Sequence, residues 1–434
     1  MSKLVVKGGL PLNGEVELRG AKNAVPKHLV AALLTRDPCT VDNVPKIDDV
    51  HLMGELLGEL EADVSVHGSA IDVLTADIKP LPDRTLYRFS GRSRIPILMA
   101  GPLLHRFGEA FIPTLGGCRI GKRPVDYHVQ ALRELGATAT DQSEGIRLTA
   151  KRLQGTRISL PYPSVGATEQ ILLAAVLAEG LTEISNAAME PEVVDLIAVL
   201  QKMGAIISVK PDRVVEIHGV ETLQGFHHRA IPDRLEAASW ACAVAATSGR
   251  IFIRDARQLD MMTFLNVYRT IGGNFSIYEE GIEFSMDDRP KPAPLETDVH
   301  PGFMTDWQPP LGVALTQAEG VSIIHETVYE DRLGYLRNLE TMGAKVQLYR
   351  DCLGGSACRF GRMNFLHSAV IPGPSKLQAG SIKIPDLRGG FSHVIAALVA
   401  EGLSTIENTA LLERGYETFV AKLEGVGAHV EHSE

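Results

Sequence analysis

The sequence is poor in cysteine, in excess positive charge and in long apolar runs, and each shortage closes off a class of protein. Its five cysteines, Cys39, Cys118, Cys242, Cys352 and Cys358, are scattered and odd in number. They build no disulfide framework and show no metal-ligand spacing, so free thiols in a reducing compartment are expected. The formal net charge of -10 argues against nucleic acid as a main partner, because a phosphate backbone calls for a basic surface. The longest uncharged run, Ala237 to Gly249, is too short to cross a bilayer, so no membrane partner is expected. Met1 to Gly9 lacks the apolar stretch of a signal peptide, which makes a cytoplasmic location the expectation. No Gly-x-Gly-x-x-Gly follows a strand-like run. No linker is rich in serine or proline, and neither a metal nor an organic cofactor is expected.

What is present is a chain of 434 residues, 45% hydrophobic and 22% charged. That is an ordinary globular composition in a chain too long for one core, so two or three domains are expected. The chain is also repetitive. Six segments follow one order: an apolar helix, a small or Gly-containing turn, a strand, a variable loop, an amphipathic helix ending in Gly-Ala or a relative of it, and a further strand. Gly180 to Ala205, Gly320 to Ala344 and Gly402 to Ala428 are the clearest copies; Gly108 to Ala137 and Gly249 to Gly273 match more loosely. Cys39 to Ala62 is the weakest, because it lacks the terminal glycine. The glycine suits the left-handed residue after a helix. The first helix of each copy, as in Ile171-Leu-Leu-Ala-Ala-Val-Leu-Ala, is apolar nearly all round and belongs inside a domain. A period of about 70 residues exceeds that of solenoids, so a closed arrangement of three plus three copies is expected, with a boundary near Ile231-Pro232-Asp233. Leu4 to Leu18 reads as two strands that complete the last copy.

The chemistry-bearing residues cluster in turns and at helix starts. Gly20-Ala21-Lys22-Asn23-Ala24 sets a lysine just ahead of an apolar helix, where charge and helix dipole both suit an anion. Gly116-Gly117-Cys118-Arg119-Ile120-Gly121-Lys122-Arg123-Pro124-Val125-Asp126 sets a thiol in a glycine-rich loop among three cations, which favour thiolate. Ser164-Val165-Gly166 either offers N–H groups to a ligand or caps the next helix. Asp306, within His300-Pro301-Gly302-Phe303-Met304-Thr305-Asp306, either caps a helix or removes a proton. Asp386-Leu387-Arg388 and Glu413-Arg414-Gly415-Tyr416 place arginines at or near helix starts, where they suit phosphate or carboxylate. If helix starts point to one cleft, Lys22, Arg94, Arg123, Arg388 and Arg414 converge on a substrate with several negative charges.

These motifs resemble the UDP-N-acetylglucosamine enolpyruvyltransferase family along essentially the whole chain. Pro232-Asp233-Arg234 and Glu326-Thr327-Val328-Tyr329-Glu330 belong to the same set. The shikimate-pathway relative is less similar, with a Ser-Lys-Ser type start and no cysteine loop. The resemblance implies an α/β fold, a two-domain inside-out α/β barrel with three repeats per domain. One domain would run over 22–232, and the other would join 1–21 to 233–434. It implies transfer of the enolpyruvyl group of phosphoenolpyruvate to the 3′-hydroxyl of UDP-N-acetylglucosamine by addition and elimination. Cys118 would be the acid, with its loop closing as a lid. Asp306 would be the base, Lys22, Arg123 and Arg388 the phosphate ligands, and Arg388 and Arg414 the carboxylate ligands. Asn23, Arg94, Pro124, Val125, Asp126, Ser164, Val165, Gly166 and Val328 would touch the sugar nucleotide. Ile95-Pro96 after Arg94, Tyr162-Pro163 before Ser164 and Gly389-Gly390 after Arg388 depart from the commonest pattern. They suggest a divergent branch or a second copy, and leave two alternatives in view: another sugar-nucleotide acceptor, or a non-catalytic paralogue that binds the nucleotide and regulates a partner.

Overall fold

The structure is a computed structural model that describes residues 3–116, 125–355, 358–384 and 387–433, without the side chains of Asp83, Arg84, Leu387, Arg388, Glu413 and Ser433. The chain divides into two compact units, with breaks between Arg19 and Gly20 and between Ile231 and Pro232. Among the described residues, one unit spans 20–116 and 125–231 and the other spans 3–19 and 232–433.

Six inner helices follow from the six apolar segments: α1 (Val25–Ala31), α2 (Ala100–Phe107), α3 (Val165–Ala175), α4 (Arg234–Thr247), α5 (Gln308–Leu315) and α6 (Leu387–Val399). Residues Ala167 to Ala175 of α3 and all of α5 are buried, as an apolar circumference requires. In the 232–433 unit, α4, α5 and α6 pack on one another. In the 20–231 unit, α2 packs on α3 and on the turn Ala32–Leu34 that extends α1. Gly101 allows that approach, since a Cβ there would lie 2.9 Å from the Cβ of Ala174.

Each inner helix is followed by a strand, an amphipathic outer helix and further strands. The outer helices Asp126–Glu134, Pro191–Lys202, Met262–Thr270, Gly334–Thr341 and Phe419–Gly425 are followed by Gly136, Gly204, Gly272, Gly343 and Gly427, at φ between 82° and 98°. The sequence leaves the first copy incomplete, but the structure completes it. After the outer helix Asp48–Glu59, Glu61 itself adopts φ 63° and plays the glycine's part. Packing of Leu52, Met53, Leu56 and Leu57 on the core fixes the chain path there despite a side chain that disfavours it.

The N-terminal strands separate. Lys3–Gly8 lies antiparallel between Gly402–Glu407 and His429–Ser433, completing the last repeat as expected. Asn13–Glu17 instead runs parallel to Arg250–Arg254 in the fourth repeat, so it does not join the last one. Parallel pairing puts Val16 beside Ile253, in register with the buried face. Among the described residues, no helix is long and apolar enough to cross a membrane.

Candidate active site

In the 232–433 unit, Asp306 lies in the turn before α5 and is buried. It does not cap that helix. Trp307 occupies the cap position, without a side-chain hydrogen bond. Nη2 of Arg332 instead donates to Asp306 Oδ1 at 3.1 Å, and Arg332 Nε donates to the carbonyl of Thr305 at 3.4 Å. The Thr305 hydroxyl donates to Glu326 Oε2 at 3.0 Å. Glu326 Oε1 accepts from the backbone N–H groups of Val328 and Tyr329 at 2.8 and 3.0 Å. Burial pushes the Glu326 carboxyl up from its ordinary range, opposed by Arg332 and by those hydrogen bonds. The result is one buried network that fixes Asp306 and the backbone of Val328 together. A carboxylate so placed has one orientation, which is what a proton acceptor aimed at a hydroxyl requires. Sequence reasoning noticed Glu326 as part of a motif but missed Arg332; the signal was an acid in a buried turn that needs a cation.

In the 20–231 unit, Lys22 stands three residues ahead of α1 and forms a close ion pair with Asp49. Lys27 Nζ donates to the carbonyl of Asn23 and stands 3.4 Å from Glu169 Oε1 of α3, tying the start of α1 to α3. Burial pushes the Glu169 carboxyl up to about 7, against the pull of Lys27. Arg94 occupies the cap position of the short helix Ile95–Met99. Ser164 caps α3, its hydroxyl accepting from Ala167 N–H at 3.4 Å. A Cβ on Gly166 would lie 2.9 Å from His128 of the outer helix Asp126–Glu134. That contact brings Ser164, Val165 and Gly166 beside Val125 and Asp126, which begin that outer helix.

Of the other expected positions, one stands at a helix end and several lie outside what is described. Arg414 does not start a helix; it caps the C-terminus of Ala410–Glu413, because Ala410-Leu-Leu-Glu is itself a strong helix former and the next helix begins at Phe419. Cys118, Arg123 and Pro124 lie outside the described residues, as does Asp386. Arg388 is in the first turn of α6, without a described side chain. Burial pushes the Cys39 thiol up to about 11 and that of Cys242 well above its ordinary range, which leaves both unreactive at neutral pH.

Two polar clusters were not legible from spacing. His28 Nε2 and His228 Nε2 stand 3.1 and 2.9 Å from the two oxygens of Asp195. Burial favours the neutral acid there, but hydrogen bonds from His228 and His28 outweigh it and hold Asp195 well below the usual carboxylate range. The second cluster joins residues that show no metal-ligand spacing in sequence: ligand atoms of His325, Cys352, Cys358 and His367 all lie within 4.8 Å of one another. Strand register is the reason. His325 pairs with Ser368, so His367 arrives beside it from a position remote in sequence.

The model of the family EPSP synthase (3-phosphoshikimate 1-carboxyvinyltransferase) matches residues 6–423. The chain belongs to this family. It is 48% identical over 441 residues to a UDP-N-acetylglucosamine 1-carboxyvinyltransferase of Protochlamydia amoebophila, covering 99% of this chain and 94% of that one. A relative of the same name from Chlamydia pneumoniae is 48% identical over 97% of this chain and 93% of its own. One from Staphylococcus aureus strain N315 is 37% identical over 99% of both. In fold, the chain matches the enolpyruvyl transferase NikO from Streptomyces tendae with a TM-score of 0.86, at 23% identity over 100% of this chain and 99% of that one. EPSP synthase from Acinetobacter baumannii matches with a TM-score of 0.74 at 17% identity over 100% of both chains. The enolpyruvyl transferase fold and membership among the transferases are thus established.

Proposed function

We propose that this enzyme transfers the enolpyruvyl group of phosphoenolpyruvate to the 3′-hydroxyl of UDP-N-acetylglucosamine, releasing phosphate. The observation that carries this reading is 48% identity over nearly the full chain to enzymes of that name. The buried, single-orientation carboxylate of Asp306 supports it.

The reaction is an addition followed by an elimination. Asp306 accepts the sugar hydroxyl's proton as its oxygen bonds to C2 of phosphoenolpyruvate, while Cys118 gives a proton to C3. A proton then leaves C3 as the C2–O bond to phosphate breaks, restoring the double bond. Lys22, Arg123 and Arg388 balance the phosphate, and Arg388 and Arg414 the carboxylate. Fixed cations stabilise charge most where water is excluded. Lys22 would exchange Asp49 for the incoming anion. Asn23, Arg94, Pro124, Val125, Asp126, Ser164, Val165, Gly166 and Val328 would receive the sugar nucleotide. The product belongs to peptidoglycan precursor synthesis in the cytoplasm, hence to cell shape and division. A thiol in this role is a target for fosfomycin-type epoxides.

The test is phosphate release from phosphoenolpyruvate, with and without UDP-N-acetylglucosamine. Release only with the acceptor is expected, and its failure at saturating substrate would overturn the proposal. A panel of other sugar nucleotides would expose a different acceptor. Asp306→Asn should lower kcat by about 10²–10⁴-fold, the range for loss of a general base. Cys118→Ser should reduce turnover and abolish epoxide labelling.

A further inference from the structure

We propose that His325, Cys352, Cys358 and His367 form a structural zinc site that clips the segment 350–367 to the sheet of the fifth repeat. His325 ends the strand Gly320–His325, and His367 immediately precedes Ser368–Gly373. The cysteines lie on the segment between Gln347–Tyr349 and Ser368–Gly373, whose described residues form no helix or strand. Segments of that length without secondary structure are uncommon unless something holds them.

The hydrogen bonds fix which nitrogen carries the proton in each neutral imidazole. The Ser368 hydroxyl donates its single proton to the carbonyl of Asp351 at 2.7 Å. Its oxygen can therefore only accept from His325 Nδ1, 2.9 Å away, which makes that nitrogen the N–H. The other nitrogen, Nε2, then carries a bare lone pair. It is buried without a hydrogen-bond partner, in a residue only 1% exposed. His367 repeats the arrangement: Nδ1 is 3.0 Å from the carbonyl of Phe365, which can only accept, so Nε2 is bare and faces Cys352 Sγ at 3.4 Å. Two histidines thus turn lone pairs toward two sulfurs, with their far nitrogens tied to oxygen acceptors as metal-binding histidines require.

The spacing suits zinc. Zn–S bonds of about 2.3 Å and Zn–N bonds of about 2.0–2.1 Å imply tetrahedral edges of roughly 3.3–3.8 Å. The sulfur–nitrogen separation of 3.4 Å falls in that range, and the whole set lies within 4.8 Å. Two sulfurs and two imidazoles favour Zn²⁺ over harder ions. The N–H of Phe360 donates to Cys358 Sγ at 3.3 Å, which orients that sulfur. Glu296 stands at the rim, 4.0 Å from His325 Nε2, and accepts from Gly355 N–H at 3.1 Å. A Cβ on Gly354 would lie 2.4 Å from His325, so only glycine lets the segment close over that ring. The clip also steadies Arg359, which donates to the carbonyl of Val328.

Elemental analysis of the full chain, purified without a metal-affinity column, should find close to one zinc per chain. Cys352→Ser and Cys358→Ser should each lose it, and Cys242→Ala should keep it. Ser368→Ala should weaken zinc by about 10–100-fold, as loss of an outer-shell partner does. Should the cysteine variants fail to fold, cobalt uptake by the intact protein decides the matter. Thiolate-to-cobalt charge transfer with tetrahedral d–d bands supports the site. Failure of the reduced protein to bind either ion overturns it, as do zinc retained by both serine variants or a Cys352–Cys358 disulfide in the freshly isolated chain.

Discussion

The two units share a three-repeat scaffold but bury different chemistry. In the 232–433 unit, Phe264 is fully buried and its ring centroid lies 5.5–6.4 Å from those of Tyr268, Phe284, Phe303 and Trp307. The 20–231 unit has an inner region of aliphatic helices crossed by ionisable groups, His28, Asp195 and His228 on one side and Lys27 with Glu169 on the other. The repeated apolar pattern dictates the same elements in both. What fills the spaces between them is free to differ, although the 232–433 unit also buries ionisable groups, Glu326 and Arg332 among them.

The largest expected effect breaks the aromatic side. Phe264→Ala removes a fully buried ring and should destabilise the 232–433 unit by about 4 kcal/mol. The loss should be the same at about pH 5 and about pH 8, because its ring neighbours do not titrate in that range. Both tryptophans of the chain, Trp240 and Trp307, lie in this unit, so denaturant unfolding followed by tryptophan fluorescence reports it selectively. A loss below about 1 kcal/mol would mean that the cluster is not close-packed.

The next effect sharpens the contrast. The folded Glu169 holds its proton up to about pH 7, whereas an unfolded glutamate releases it near 4.5. Between those values the folded state binds more protons, so this group lowers stability as pH rises and adds nothing further above about pH 7. His28 acts in the opposite sense. Burial pushes its imidazole below the ordinary value of 6.5, so the unfolded chain takes up the proton first and stability is lost as pH falls below 6.5. In the wild type the two slopes partly cancel. Glu169→Gln should leave the acid sensitivity exposed. From about pH 5 to about pH 8, the variant should gain about 2–3 kcal/mol relative to wild type. Hydrogen exchange of α1 and α3 against pH measures this, and parallel curves for the two proteins would refute it.

That contrast also marks how far the sequence could be read. The helix order, the buried character of α3 and α6 and the glycines after the outer helices follow from apolar period and turn chemistry, which act over a few residues. Asp306 was visible as an acid before a helix, yet its partner Arg332 was not, because the strand Gly320–His325 and the turn after it bring the two together. Asp195 is likewise separated from His28 by most of its unit. The His325–His367 pairing depends on which residue faces Ser368 across two strands, and sequence spacing does not contain that register. Arg414 ends a helix and does not start one for a local reason, a four-residue helix with no marked start.

The smallest effect tests the repeat itself, at the one outer-helix end where glycine is missing. Gly204 has φ 98° and open space around its missing Cβ, so Gly204→Ala changes backbone strain and little else. It should destabilise the 20–231 unit by about 1 kcal/mol. Glu61 already bears that kind of strain at φ 63°. Glu61→Gly relieves it, offset by the greater freedom of glycine in the unfolded chain. It also gives up the exposed ion pair with Lys79 at 2.6 Å, a contact of the kind that contributes about 0–1 kcal/mol. The net expectation is a gain of about 0.5 kcal/mol, measured by urea unfolding followed by far-ultraviolet circular dichroism. The two substitutions should move stability in opposite directions if helix-end geometry is common to the repeats. A loss in Glu61→Gly would mean that the Lys79 pair, rather than the backbone, decides the end of the first outer helix.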